Sequence, residues 1–140
     1  MVDLMVKPPA PGEASHARFE EERAAIFGAL RRKSTLLYDF LNSIDGVSCQ
    51  PLQGAMYAFP RIELPPRAVA EAQAEGHAPD THYALSLLER TGICAVPGSG
   101  FGQREGTHHL RLTFLPEEAK LLRALDRFRA HHEMYLRKYS

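Results

Sequence analysis

The sequence has no tryptophan, two cysteines and no net charge at pH 7. Cys49 and Cys94 stand far apart in no Cys-x-x-Cys pattern, which predicts two buried free thiols in a reducing compartment, although the fold could still bring them into contact. Seventeen basic residues balance seventeen acidic ones, so no net field attracts nucleic acid or an acidic membrane. No apolar run approaches the roughly 18 residues that span a bilayer, and residues 1–15 do not resemble a signal peptide.

The composition is typical of one globular domain. The 140 residues are 44% hydrophobic and 24% charged, which is enough to bury a core. Three prolines and a glycine in "KPPAPGE" predict that residues 1–13 form an extended arm or linker. Residues 14–140 are then the folded domain.

Long apolar stripes predict a helix at each end of this domain. Ser15 is placed to cap the first helix, which stops at Asp45-Gly46. Pro116 occupies a first-turn position of the last helix, which continues to the C-terminus. The predicted inward-facing residues are Phe19, Ile26, Leu30, Leu37, Leu41 and Ile44 in the first helix and Leu121, Leu125, Phe128, His132, Tyr135 and Tyr139 in the last.

Two shorter helices and four strands are predicted between them. Residues 65–76 form one helix, and Asp80 is placed to cap another that ends before Gly92, with Tyr83, Leu87 and Leu88 facing inward. The predicted strands are residues 47–49, 55–62 (ended by Pro60), 93–97 and 108–115. Because helices and strands alternate, the predicted fold class is α/β (α+β), a small mixed or antiparallel sheet with packed helices.

Residues 98–106 place four glycines between two predicted strands. Their spacing matches neither the Walker loop nor the dinucleotide-binding fingerprint, and a strand rather than a helix follows, which excludes a phosphate cradle. Gly98 directly precedes Ser99, so the spacing of a nucleophile elbow fails as well. The pattern alone favours a mobile connection.

Arg111 lies in the middle of the strand 108–115, on the face that it shares with His109 and Thr113. The pattern alone favours a solvated or ion-paired arginine at such a position. The alternative is a rigidly held guanidinium that grips a carboxylate by two parallel hydrogen bonds, a geometry that lysine does not reproduce.

The histidines and tyrosines show no catalytic or metal-binding spacing. No His-Glu-x-x-His or Cys/His pattern is present, so no metal site is predicted. His132 falls on the inward stripe and is expected to be packed and hydrogen-bonded. Packing also explains the tyrosines most simply: Tyr38, Tyr57, Tyr83, Tyr135 and Tyr139.

Three stretches resemble the C-terminal part of the alanine aminotransferases, within the fold-type-I pyridoxal-phosphate aminotransferase family. They are "PPAPGEAS" (8–15), "LQGAMYAFPRIELPPRAV" (52–69) and "LLERTGICAVPGSGFGQREGTHHLRLTFLP" (87–116), and the run "GICAVPGSGFGQREGT" is highly specific. The resemblance extends across nearly the whole chain. It implies a small C-terminal domain that packs over a larger cofactor-binding domain of its own chain, in a homodimer.

The resemblance also implies an activity and a site. Arg111 would bind the substrate α-carboxylate, and Gly98, Ser99 and Gly100 would shape the pocket beside it. The enzyme would transfer an amino group between L-alanine and 2-oxoglutarate, giving pyruvate and L-glutamate, with pyridoxal 5'-phosphate as cofactor. In such a site arginine orients the substrate rather than moving a proton.

The imine-forming lysine of the family lies upstream, in a Ser-x-x-Lys stretch that this sequence lacks. None of its lysines has that context: Lys7, Lys33, Lys120 and Lys138. No catalytic or cofactor-binding residue is therefore predicted, and the chain alone is expected to be an inactive, cofactor-free fragment.

Two alternatives remain open at this point. One is a fragment of a related transaminase such as a glutamate–glyoxylate aminotransferase, and the other is a non-catalytic partner-binding domain. In either case the sequence predicts an intracellular protein without nucleic-acid or membrane partners, and it favours the cytoplasm over the mitochondrion.

Overall fold

The computed structural model describes residues 6–140. Its helices are α1 (His16–Asn42), α2 (Pro66–Ala74), α3 (Pro79–Thr91) and α4 (Glu118–Tyr139), and its strands are β1 (Val47–Ser48), β2 (Tyr57–Ala58), β3 (Arg61–Ile62), β4 (Val96–Pro97) and β5 (His108–Thr113). A turn of 3-10 helix, Gly98–Phe101, follows β4. Residues 7–15 form no helix or strand, and residues 1–5 of the predicted arm lie outside the described part. Within residues 6–140, no helix combines the length and the apolar character needed to cross a membrane.

The longest strand, β5, is the centre of an antiparallel sheet. The strand order is β1-β3-β5-β2, and β4 also pairs with β5. β2 and β3 both pair with the same edge of β5 and share a single register, since Tyr57 pairs with Thr113 and Arg61 pairs with His109. β4 pairs along the other edge. The middle of β5 is therefore held by neighbouring strands on both sides.

The strand predicted over residues 55–62 is divided into β2 and β3 at Phe59-Pro60. Pro60 has no N–H to donate, so the ladder is interrupted there. Its carbonyl still accepts a hydrogen bond from the Leu110 N–H at 3.0 Å. The prediction that Pro60 ends the strand is thus wrong, because the chain resumes the same register as β3.

The core lies between the sheet and the four helices, with Ala68 as the contribution of α2. The predicted inner face of α4 is confirmed, since all six of its predicted residues are buried. Leu37 and Leu41 of α1 and Tyr83 and Leu87 of α3 contribute the other large helical side chains. The sheet contributes Ile62, Leu110 and, just after β5, Phe114.

The predicted stripe of α1 is buried only in its C-terminal half. Ile26 is 61% exposed and its neighbour Phe27 is 64% exposed, whereas Leu37 and Leu41 are buried. A helix of 27 residues is about 40 Å long, much longer than the strands beneath it. The N-terminal half of α1 therefore extends past the surface on which it could pack.

Two predicted helix starts differ from the structure, and a third has the predicted position without the predicted capping bond. Ser15 occupies the N-cap position of α1, but its side chain forms no capping hydrogen bond. Asp80 lies inside the first turn of α3, where Ala78 is the N-cap residue. Pro116 precedes the last helix, which begins at Glu118. The side chain of Asp80 instead bonds a distant loop.

Besides Ile26, three more side chains predicted to pack inside are exposed. Leu88 is 42% exposed and Tyr57 is 47% exposed, because each points away from the core side of its own element. Cys94 is exposed as well, since the predicted strand 93–97 is reduced to Val96–Pro97. Cys49 is buried as predicted, and burial raises the pKa of its thiol.

Candidate functional site

Arg111 lies in the middle of β5, opposite Val96 of β4. Its guanidinium carbon lies 4.4 Å from the ring centroid of Phe101 and 5.0 Å from that of Tyr57. Such cation–π contacts hold a guanidinium in place without neutralising its charge. Within residues 6–140, no carboxylate lies within ion-pair distance of Arg111 and no hydrogen bond of its side chain occurs. Its five N–H donors therefore remain available to an external anion.

The rings beside Arg111 form an exposed aromatic surface. Tyr57, Phe59 and Phe101 are each between 42% and 48% exposed. Phe59 stacks on the His109 ring at a centroid distance of 4.8 Å and meets the Phe101 ring edge-on at 6.5 Å. We call these four aromatic residues together with Arg111 the Arg111 surface. Clustered exposed rings around an unpaired cation are typical of a site that is covered when it functions.

The glycine-containing turn contacts Arg111 through the ring of Phe101. Of the predicted pocket residues, Gly98 is buried and lies against His109, whereas Ser99 and Gly100 are exposed. A Cβ added at Gly98 would lie 2.5 Å from Gln103 Oε1 and 2.8 Å from His109 Cβ. The φ of Gly98 is not positive, so backbone conformation does not require glycine there. Glycine is needed because of this close approach.

The loop 98–106, which the pattern favours as a mobile connection, is tied to α3. The fully buried carboxylate of Asp80 accepts hydrogen bonds at Oδ2 from the Ser99 N–H at 2.8 Å and from Gln103 Nε2 at 2.7 Å. The Ser99 and Thr81 hydroxyls add a contact at 3.4 Å. Charge-assisted bonds of this kind are the stronger class of hydrogen bond.

Gln103 also bonds the central strand. Its Oε1 accepts a hydrogen bond from His109 Nδ1 at 2.9 Å, which places the proton of the neutral ring on Nδ1. Burial and the neighbouring Arg61 lower the pKa of His109, so its ring is neutral near pH 7. Sequence reasoning missed Phe59, Phe101, Asp80 and Gln103 as residues of this site. A buried aspartate in a first helical turn has the same sequence signature as an exposed cap.

The lysines do not fit the task of an imine-forming residue, which needs a depressed pKa and access to the site. Lys33 Nζ donates to the Leu115 carbonyl at 2.9 Å, and the hydrogen bond that Lys138 donates to the Tyr139 hydroxyl raises the pKa of Lys138. Lys7 and Lys120 are exposed. Among the described residues, no lysine belongs to the Arg111 surface.

One group of potential metal ligands lies away from Arg111. Glu71, Glu75 and His82 bring their ligand atoms within 4.8 Å of one another. Glu71 already accepts hydrogen bonds from Tyr139 and Lys138, and His82 Nδ1 bonds the Tyr135 hydroxyl. The group is fully explained by these contacts between α2, α3 and α4.

A groove with a volume of about 740 Å³ lies between α1 and the segment 52–55. Its lining holds one charged side chain, Arg31, and none of the Arg111 surface. Since a substrate site needs convergent polar groups as well as volume, the Arg111 surface is the better candidate.

The curated alanine aminotransferase 2-like protein of Danio rerio is 54% identical to this chain over all 140 residues. Over its full length the chain is therefore similar to one segment of the alanine aminotransferases. It spans about a quarter of such relatives, 26% of the Danio rerio protein and 27% of an inactive alanine aminotransferase of Saccharomyces cerevisiae to which it is 48% identical. The solved alanine aminotransferase of Pyrococcus furiosus matches 95% of the chain with a TM-score of 0.68 at 28% identity, covering 28% of that protein. No family model matches the chain. The predicted resemblance to the family and the predicted fold class are confirmed.

Proposed function

We propose that this chain is the part of a pyridoxal-phosphate-dependent alanine transaminase that binds the α-carboxylate of the substrate. Arg111 is the binding residue. The supporting observation is that its guanidinium contacts the Phe101 and Tyr57 rings and has no carboxylate partner among residues 6–140. Its mid-strand position in β5 suits precise placement, because both edges of that strand are paired.

One arginine suffices for both substrates of this reaction. L-alanine and 2-oxoglutarate each carry a carboxylate on the carbon whose amino or keto group is exchanged. A guanidinium fork grips that group by two parallel hydrogen bonds and so fixes both its position and its plane. Orientation of the reacting carbon is a large part of what such a contact contributes to the rate. The products are pyruvate and L-glutamate.

The cofactor belongs to the remainder of a longer chain. Pyridoxal phosphate supplies the electron sink for the reaction when it is bound. The lysines of this segment do not fit it, so we propose that residues 14–140 form a small domain that packs on a cofactor-binding domain of the same chain, in a homodimer, after an arm at residues 1–13. The segment alone would neither bind the cofactor nor transaminate. We propose that the protein acts inside the cell, in the cytoplasm rather than in the mitochondrion.

A second candidate function is a non-catalytic domain. The relative in Saccharomyces cerevisiae is named as inactive although it is 48% identical over 99% of this chain. Identity in this segment is therefore compatible with a protein that does not transaminate. The Arg111 surface supports the enzymatic function, because exposed aromatic rings around a cation are unfavourable in water unless a ligand covers them.

The test is transamination by the full-length protein that carries this segment. Pyruvate formation from L-alanine and 2-oxoglutarate is compared for wild type, Arg111→Lys and Arg111→Leu. We expect kcat/KM for alanine to fall about 10²-fold or more in both variants, because lysine keeps the charge but loses the fork. Arg123→Leu, at an exposed position of α4, is the matched control and should behave as wild type.

The outcomes separate the candidate functions. Wild-type rates in the Arg111 variants would refute the carboxylate role while leaving the enzyme. An active wild type that prefers another amino donor, such as glutamate with glyoxylate, would refute the alanine assignment. Absence of any transamination would favour the non-catalytic domain.

A further inference from the structure

Phe101 owes its position to polar contacts rather than to burial. Its ring covers the Arg111 guanidinium at 4.4 Å but remains 48% exposed. It stands at the end of a four-residue turn, and the next residue, Gly102, has a φ of 71° that releases the chain from helical geometry. So short a turn with so little buried apolar area does not hold its own conformation.

The contacts that hold this turn converge on Asp80. One oxygen of its carboxylate, Oδ2, accepts both hydrogen bonds, one from the backbone of Ser99 within the turn and one from Gln103 just beyond it. The other oxygen, Oδ1, is buried and has no partner among the described residues. A buried carboxylate with only two donors depends strongly on both of them. The two hydrogen bonds to Asp80 therefore oppose any movement of the turn away from α3.

Gln103 extends the connection to the strand that carries Arg111. Its amide donates to Asp80 and its carbonyl oxygen accepts from His109, two residues before Arg111. The His109 ring in turn stacks on Phe59, which meets Phe101 edge-on. The turn is thus fastened to α3 on one side and to β5 on the other.

We propose that Asp80 and Gln103 are positioning residues for substrate binding, which act by holding Phe101 over the Arg111 guanidinium. Neither residue touches the substrate. Phe101 restricts the guanidinium to the orientation in which its free N–H edge meets the carboxylate. This inference rests on the proposed function, since it assumes that Arg111 binds the substrate.

The experiment is a double-mutant cycle in the full-length protein. KM and kcat for L-alanine are measured in Asp80→Asn, Phe101→Leu and the double variant, with Asp126→Asn, at an exposed site of α4, as the control. The Asp80→Asn substitution keeps the size of the side chain but removes the charge that strengthens both bonds. We expect KM to rise about tenfold in each single variant, the size of effect that loss of a cation–π contact produces, with kcat changing less.

The signature of the mechanism is non-additivity. If Asp80 acts through Phe101, the double variant has the KM of Phe101→Leu alone. Gln103→Leu, which leaves the buried carboxylate in place, should show the same KM effect and the same non-additivity. If circular dichroism shows that Asp80→Asn does not fold, the Gln103→Leu variant tests the inference by itself.

Additive effects of the Asp80 and Phe101 substitutions would overturn the inference, and so would a wild-type KM in both Asp80→Asn and Gln103→Leu. Its failure is distinguishable from failure of the proposed function. If Arg111→Lys is impaired while Asp80→Asn and Gln103→Leu are not, only the positioning role is wrong. If Arg111→Lys is also unimpaired, the carboxylate assignment is wrong as well.

Discussion

Replacing Gly98 by alanine is expected to destabilise the protein strongly, although it adds only one methyl group. That methyl would lie 2.5 Å from Gln103 Oε1, 2.8 Å from His109 Cβ and 3.2 Å from the His109 carbonyl oxygen. The amide end of Gln103 can rotate away, but His109 belongs to the paired strand β5 and cannot. The perturbation therefore displaces either the turn or the strand.

The cost can be worked out from these contacts. Overpacking of a filled site costs about 1–3 kcal/mol. Displacing Gln103 breaks its hydrogen bond to His109, worth about 1 kcal/mol, and weakens its charge-assisted bond to Asp80. Together these effects predict a loss of about 2–4 kcal/mol in the free energy of unfolding. For a domain of this size that corresponds to a fall in Tm of about 10 °C.

Urea unfolding followed by circular dichroism measures this difference, a suitable probe for a chain without tryptophan. Gly100→Ala is the matched control, because a Cβ at Gly100 meets nothing within 4 Å and its φ is not positive. Alanine there should be neutral or stabilise by up to about 1 kcal/mol through the unfolded chain. Equal unfolding midpoints for the Gly98 and Gly100 variants would refute the packing argument.

Two adjacent histidines and two cysteines give further predictions. Among the described residues, neither ring nitrogen of the buried His131 has a hydrogen-bond partner, and burial lowers the pKa of His131 to about 4. Protonation of His131 therefore favours the unfolded state, so the protein has its full stability above about pH 6.5 and loses stability as the pH falls towards 4. His131→Phe should flatten the decline in urea midpoint between pH 7 and pH 5, and an unchanged slope would contradict this. His132→Phe should instead cost about 2–4 kcal/mol at pH 7, because it leaves the Tyr83 hydroxyl and a backbone carbonyl unpaired; a loss below about 0.5 kcal/mol would show those bonds to be unimportant. A thiol reagent should modify Cys94 within minutes in the native protein but Cys49 only after denaturation, and rapid modification of both would contradict the burial of Cys49.

The fold was largely predictable because its elements have strong local patterns. The inner face of α4 repeats at helical spacing, and all of its predicted residues are buried. Leu110 of β5 and Phe114 just after it alternate with polar residues and are buried, as the pattern indicates. Gly92 ends α3 in the left-handed conformation that its position predicts. In each case neighbouring residues in the sequence determine the outcome.

The burial of individual side chains was less predictable, because it depends on where an element meets its neighbours. Ile26 follows the same stripe as Leu37 but lies beyond the surface against which α1 packs. His131 and His132 are both buried, yet only His132 lies near a hydroxyl and a carbonyl that can bond it. No local pattern distinguishes these cases, since the difference comes from other elements.

The sequence by itself determined the helices, the central strand and, through the run 92–107, the resemblance to the family. It also placed Arg111 at mid-strand, but it did not decide between a solvated side chain and a binding group. The tertiary structure brings Phe101 and Tyr57 to its guanidinium and Asp80 to the glycine-containing turn. These contacts join residues that are 10 to 54 positions apart, since they depend on strand register and on how α3 packs against the sheet. Patterns among neighbouring residues do not specify contacts between residues so far apart in the sequence. Only the folded chain therefore shows which residues hold Arg111.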